Sequence, residues 1–255
     1  MKQARSSTGR ISELPDGLIH GILSFIPMTD VVKTCILSKR WRYIWTSVNT
    51  VRIDFDSPAF EKYPIIERIT RFIDFVDKVL NLRDDVADVN KFYLTLPLSQ
   101  VDEESLECPK FYDILASRLN AWICSVVRHN IKTLSITFRI SAEWTFELPE
   151  CLFNCKTLET WSLEMGGRGY SLIVVPKSCC LPNLRSVDFE ALSFENPGAA
   201  TRLVSSCPVL EYLGIADTGI EMDNHQDFII DSSTLEELVV CNGGWQNTLM
   251  AKTTS

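Results

Sequence analysis

Histidine is scarce in this sequence: only His20, His129 and His225 occur, each in a different segment. No Ser or Cys nucleophile motif surrounds any of them, so a His-assisted nucleophile has no basis in the sequence. The paired C-x-x-C and the nearby His pairs of a zinc site are also missing. No stretch approaches the roughly 20 apolar residues that a bilayer-crossing helix needs. The first ten residues, Met1 to Arg10, are polar and basic, and no apolar core follows them, so no secretory signal is visible. Positive charge is in the minority, 25 Lys and Arg against 33 Asp and Glu, for a formal net charge of -8. Nonspecific nucleic-acid binding depends on neutralising phosphates with Lys and Arg, and this chain is poorly equipped for it. The one dense basic cluster, Lys39-Arg40-Trp41-Arg42, reads as a charged helix face. Gly166-Gly167-Arg168-Gly169 has no Lys-Ser/Thr after it and reads as a loop, not a phosphate cradle. The acidic clusters Asp84-Asp85 and Asp102-Glu103-Glu104 read as solvated connections. These absences lead to the expectation of a chain that is not an enzyme, holds no cofactor or metal, and binds neither nucleic acid nor membrane.

The composition, 45% hydrophobic and 23% charged, is that of a folded chain. Its nine cysteines are an odd number in a chain too long to need disulfide staples. They read as reduced thiols, which implies a cytoplasmic or nuclear protein. Cys155 and Cys207 lie three residues before a recurrent Leu and Cys180 four before. That is a repeat position, where Cys serves as a small buried apolar residue.

Residues 1–9 read as a disordered leader. Pro15 suits a first helical turn. Between it and Pro27, Asp16, His20 and Ser24 recur at i, i+4, leaving Leu18, Ile19, Ile22, Leu23, Phe25 and Ile26 over most of the remaining circumference. A helix with so wide an apolar surface must be covered on more than one side. Thr29 is a candidate N-cap for a second short helix carrying Val31, Val32 and Cys35, and Ser38 for a third. In the third, Trp41, Ile44, Trp45 and Val48 form one apolar stripe at i, i+3, i+4 and i+7. About 35 residues thus carry more apolar surface than they can bury among themselves. Patterning alone leaves two outlets open, an internal cap on the following domain or a surface that docks a partner.

Three landmarks arrive in order: Leu14-Pro15, Leu37-Ser38-Lys39-Arg40-Trp41, and Trp45. With Ile11-Ser12-Glu13, Ile22-Leu23-Ser24-Phe25-Ile26-Pro27 and Val31-Val32-Lys33-Thr34-Cys35-Ile36 around them, residues 10–50 resemble an F-box. The style is similar to the large plant family that joins an F-box to degenerate leucine-rich repeats, FBD-type relatives included. The resemblance implies a Skp-type adaptor as partner and, through it, a cullin-based ubiquitin ligase. By position it implies Leu14, Pro15, Leu18, Ile22, Leu23, Val31 and Leu37 as the adaptor-facing residues. The stripe Trp41, Ile44 and Trp45 could serve that contact or pack onto the next domain.

Residues 51–241 repeat the template apolar-x-x-apolar-x-apolar. It fits Val89/Phe92/Leu94, Ile131/Leu134/Ile136, Leu158/Trp161/Leu163, Leu184/Val187/Phe189, Leu210/Leu213/Ile215 and Leu235/Leu238/Val240, and Val51/Ile53/Phe55 reads as an earlier partial strand. Successive starts from Ile131 are 27, 26, 26 and 25 residues apart, within the leucine-rich-repeat range. Two amphipathic helices lie between the early strands: Ile65, Ile66, Ile69, Phe72, Ile73, Val76, Val79 and Leu80, then Phe111, Ile114, Leu115, Leu119, Trp122, Ile123, Val126 and Val127. The later units leave room for only one or two turns, around Pro149 to Phe153 and Pro197 to Ser206.

The predicted fold is α/β: a three-helix F-box, then a curved leucine-rich-repeat solenoid with parallel strands and helices on the outer face. Residues 242–255 read as a polar tail, without a capping unit or the C-terminal domain of the resembled family, so the chain reads as truncated or short. Outward strand positions Glu164, Asp188, Glu190, Tyr212 and Glu237 give the concave face a mildly acidic character, which an ordinary solvated face explains and which would also suit a basic or polar target. The expected function is that of a noncatalytic receptor that brings an unidentified target protein to the ligase. The alternative is an interaction protein, or a truncated competitor, that binds the adaptor without delivering a target.

Overall fold

The structure, a computed structural model, describes residues 13–98, 111–139, 147–166, 171–194, 197–216, 229–241 and 250–252. The expected leader over residues 1–9 lies outside them, as do Gly167 to Gly169, His225 and most of the tail.

The chain opens with α1 (Asp16–Leu23) and α2 (Met28–Lys33), a 3-10 turn over Thr34–Ile36, α3 (Trp41–Ile44) and a 3-10 turn over Trp45–Ser47. Pro15 and Pro27 each stand just outside a helix, and their carbonyls accept the first intrahelical bonds. Leu18 N donates to Pro15 O at 3.0 Å and Asp30 N to Pro27 O at 2.9 Å. Proline loses nothing at a helix start, because it has no N–H to leave orphaned. The two polar caps expected from sequence are displaced accordingly. Thr29 is inside α2 and buried, with its hydroxyl 3.3 Å from that of Ser57. The third helix begins at Trp41 instead of Ser38, whose hydroxyl is buried without a protein partner.

Next come β1 (Thr50–Asp54), α4 (Pro58–Glu61), α5 (Ile65–Asn81), β2 (Lys91–Pro97), α6 (Phe111–Arg128) and β3 (Thr133–Arg139). The rest of the chain is α7 (Glu150–Phe153), β4 (Thr160–Glu164), β5 (Ser171–Ile173), β6 (Ser186–Glu190), β7 (Leu192–Phe194), α8 (Pro197–Ser205), β8 (Tyr212–Ala216), β9 (Ile229–Asp231), β10 (Glu237–Cys241) and β11 (Met250–Lys252). Seven strands form one sheet in the order β1-β2-β3-β4-β6-β8-β10, and every pair is parallel.

The register turns the sequence template into two apolar ladders. One runs Val51, Phe92, Leu134, Trp161, Val187, Leu213, Leu238, and the other Ile53, Leu94, Ile136, Leu163, Phe189, Ile215. Side chains alternate across a strand, so both ladders face one side, where the buried faces of α5 and α6 join them in one core. Trp161 meets Phe153 and Phe189 edge to face, with centroids 5.7 and 5.0 Å away. Such pairs add about 0.5–1.5 kcal/mol each beyond their burial. Phe72 of α5 meets Phe55 and Phe60 in the same manner at 5.4 and 5.5 Å.

Neighbouring repeats are also stitched along the edge where the strands begin. Thr157 donates to Ile131 O (2.8 Å), Asn183 to Lys156 O (2.6 Å) and Thr234 to Leu210 O (2.9 Å). Each of these residues directly precedes the first Leu of its repeat, so a short polar side chain there satisfies a carbonyl of the preceding unit.

The template does not announce the strands β5, β7, β9 and β11. They form two small parallel ladders, β5 with β7 and β9 with β11, beside the main sheet. Helices α7 and α8 stand where the spacing allows only short ones. The expected polar tail contributes β11. Ile66 and Ile114, read as parts of apolar helix faces, are exposed. Cys155 and Cys207 are buried as the repeat position requires, but Cys180 is exposed. Leu181, three residues before Leu184, fills the equivalent site.

Candidate functional site

Ten large apolar side chains stand exposed among the described residues, and six of them fall between Leu18 and Tyr43. These are Leu18, Ile22, Phe25, Ile36, Leu37 and Tyr43, with Phe25 at 85% and Ile36 at 83%. Helix α1 shows how the surface arises. Leu18 and Ile22, at i and i+4, share one face and point to solvent, while Ile19 (0% exposed) and Leu23 (2%) share the other and enter the core.

The face is held from beneath. Met28, Val31, Trp41, Ile44 and Val48 are buried and belong to the core that continues into Val51 and Ile53. The stripe from Trp41 therefore faces inward, with Trp41, Ile44 and Val48 buried and Trp45 partly buried against the core. Arg40 donates to the Leu14 carbonyl and pairs with Asp16, tying the start of α1 to the start of α3. His20 Nε2 lies 3.3 Å from Ser47 Oγ, across the same module.

The seven residues expected to face an adaptor separate into layers. Pro15, Leu18, Ile22 and Leu37 are exposed, and Leu14 is half-buried against the core. Leu23 and Val31 are interior, so their contribution is to support the face from below. Sequence reasoning missed Phe25, Ile36 and Tyr43. The signal was present in Phe25 and Ile36: each is apolar beside a turn and outside the inward periodicity.

The second open surface is the sheet face opposite the ladders. Of the positions expected there, Asp188, Glu190 and Glu237 are exposed and Tyr212 is half-buried. Glu164 is more enclosed, with its carboxylate paired to Arg139 and accepting from Thr137 Oγ1 at 3.2 Å. Glu237 stands beside Tyr212 in the ladder, and Glu164 beside Glu190. The bare backbone of Gly214 makes room for its neighbours. A Cβ there would lie 2.4 Å from the Asp188 carboxylate and 2.8 Å from the Tyr212 hydroxyl. The first strands differ in charge, bearing Arg52, Lys91 and Arg139, and the Arg52 guanidinium sits 4.3 Å from the centre of the Tyr93 ring. The face is thus graded, more basic toward β1 and acidic toward β10, where the outward residues read from sequence gave only the acidic half.

Chemistry-bearing residues are scattered. Among the described residues no three His, Cys, Asp or Glu side chains gather as metal ligands. His129 Nδ1 meets the Ala87 carbonyl at 2.9 Å, far along the chain from His20. Cys124 and Cys151 bring their sulfurs to 3.3 Å, and burial, with the Cys124 thiol beside it, pushes the Cys151 thiol up to about 12. Burial pushes Cys207 up to about 12 as well, so both hold their protons at neutral pH and are poor nucleophiles. No described helix is long and apolar enough to cross a membrane.

Comparison with known proteins agrees with this geometry. The F-box domain family matches residues 11–52, and the family described as "FBD-associated F-box protein At5g56370, LRR repeats" matches residues 119–254. Among curated proteins of Arabidopsis thaliana, F-box/LRR-repeat protein At3g59200 is 30% identical over 94% of this chain and 43% of its own length. F-box/LRR-repeat protein At4g14103 is 34% identical over 81% of this chain and 49% of its own length. F-box/FBD/LRR-repeat protein At4g26340 is 33% identical over 84% and 46%. The chain spans a little under half the length of these relatives. No solved structure matches it significantly. With an N-terminal helical module that exposes apolar side chains and a parallel sheet built from repeats of the matching family, the chain belongs to the F-box/leucine-rich-repeat proteins.

Proposed function

We propose that this chain is a substrate receptor of a Skp–cullin–F-box ubiquitin ligase, acting in the cytoplasm or nucleus. The observation that supports it is the exposure of Leu18, Ile22, Phe25, Ile36, Leu37 and Tyr43, six apolar side chains of one short helical module whose other apolar residues are buried. Exposed apolar side chains concentrated in one small module suit a docking site. Covering one such side chain contributes about 1.5–3 kcal/mol, so a few of them suffice for a firm complex. A Skp-type adaptor is the occupant that the F-box assignment suggests, with Pro15 and Leu14 at the edge of the contact.

The chain performs no bond chemistry in this reading. One end is fixed to the ligase, the sheet holds a target, and the effective concentration of the target's lysines near the ubiquitin-charged enzyme rises. The open sheet face is the proposed target side, with Asp188, Glu190 and Glu237 toward one end and Tyr212 and Glu164 among them.

The test is affinity purification with a Skp adaptor and a cullin, followed by quantitative comparison of ubiquitinated proteins between cells carrying the wild-type chain and cells carrying an F-box-disrupted variant. Adaptor retention plus a set of modified proteins that depends on the intact F-box is the expected result. Failure of the wild-type chain to retain the adaptor, while an established F-box protein retains it in parallel, would sink the proposal. Retention with no dependent modification would favour a competitor that occupies adaptors without delivering a target.

A further inference from the structure

Arg83 lies in the connection between α5 and β2 and is 6% exposed, the one buried charged side chain among the described residues. Burial pushes its guanidinium down to about 10, with the Asp84 charge pulling the other way. That is still far above neutral, so Arg83 is charged at pH 7. A buried cation without a carboxylate partner is costly, and an apolar side chain of similar length would fill the space more cheaply. What the arginine supplies is directional reach. One terminal nitrogen donates to the Val48 carbonyl at 2.5 Å and, more weakly, to the Asp88 carbonyl at 3.4 Å. Its Nε and other terminal nitrogen meet no acceptor in the protein.

The two carbonyls tell where the reach matters. Val48 ends the helical module two residues before β1, and Asp88 leads into β2. Two backbone bonds reinforce the same seam: Asp84 N donates to Thr46 O at 3.2 Å and Lys91 N to Asn49 O at 3.1 Å. Thr46, Val48 and Asn49 are therefore each fastened to the segment from Arg83 to Lys91. The outward face of the module contributes nothing to this seam, because Leu18, Ile22 and Phe25 stand in solvent.

We infer that Arg83 is a positioning residue, which locks the end of the F-box onto the loop before β2 and so fixes the angle between the docking face and the target-bearing sheet. Its relevance to ubiquitin transfer rests on the function proposed above, but the lock itself does not.

Hydrogen exchange on the full-length chain tests it, comparing wild type with Arg83→Met and Arg83→Lys. Losing a charge-assisted bond at a local seam should speed exchange of the Asp84 and Lys91 amides by about tenfold or more in Arg83→Met, leaving Ile136 and Leu163 in the sheet centre unchanged. Arg83→Lys keeps the charge but lacks the fork, so it should give an intermediate increase, and it carries the same comparison if Arg83→Met does not fold. Wild-type protection at Asp84 and Lys91 in the variants would overturn the inference. So would an equal loss across β3 and β4, which would make Arg83 a contributor to global stability alone. Adaptor affinity measured on the same samples separates the two claims. It should be unchanged by Arg83→Met, and a wild-type chain that does not bind would sink the proposed function while the exchange result stands.

Discussion

In α1, Leu18 and Ile22 stand in solvent while Ile19 and Leu23, one position further along in each case, are buried; in the seven-stranded sheet, no described ladder position is exposed. Both regions are built from apolar residues at regular spacing. They differ in how much of the apolar surface the chain can cover by itself. A repeat strand has one apolar face, and helices of its own chain lie on it. Helix α1 carries apolar residues on two faces, and the chain covers only one of them. The difference teaches that an excess of apolar circumference, not apolar content, marks the surface left for a partner.

The comparison can be broken most forcefully in the sheet. Trp161→Ala empties the centre of the first ladder and removes two edge-to-face ring contacts, so it should cost about 3–5 kcal/mol in chemical denaturation. A loss under about 1 kcal/mol would mean that the ladders are not the core. Next in size is the contrast inside α1. Leu23→Ala should cost about 2–5 kcal/mol, whereas Leu18→Ala, on the open side, should stay within about 0.5 kcal/mol. Equal losses would erase the distinction between the two faces.

A smaller effect is expected between β6 and β7, where Ala191 has φ 55°, in the left-handed region. A Cβ there costs about 1–2 kcal/mol, so Ala191→Gly should raise the unfolding midpoint, by up to about 1 kcal/mol once the extra freedom of glycine in the unfolded chain is subtracted. Asn130, at φ 58°, tolerates the same conformation and should gain less. The smallest effect at neutral pH concerns Cys207. In the folded chain its thiol keeps its proton up to about 12, while the unfolded chain releases it near 9.0. The unfolded state binds fewer protons in that window, so stability contributed here falls as pH rises from about 9 toward 12. Among the described cysteines, alkylation of the native chain should accordingly reach the exposed Cys180 before the buried Cys207, read by mass spectrometry of partially modified protein.

Much of the fold was legible because a repeat announces itself. The intervals 27, 26, 26 and 25 between the template's starting residues recur as the register offsets from Leu134 to Trp161, Val187, Leu213 and Leu238. The side ladders β5–β7 and β9–β11 were hidden because strands of three residues are too short to carry a period. The F-box landmarks located the candidate site, but they could not sort Leu18 from Leu23. Both are leucines on one helix, and only the way the module packs into the shared core decides which side is inner. Arg83 was invisible for a related reason: it stands beside Asp84-Asp85, and a local reading makes the whole cluster a solvated loop.

Whether the open face of α1 docks an adaptor is measured directly by titration calorimetry of a Skp adaptor into the wild-type chain and into Leu18→Ala/Ile22→Ala. Truncating two central contacts should weaken binding by about a hundredfold or more, with the unfolding midpoint nearly unchanged because neither side chain belongs to the core. An affinity equal to wild type in the double variant would contradict the account.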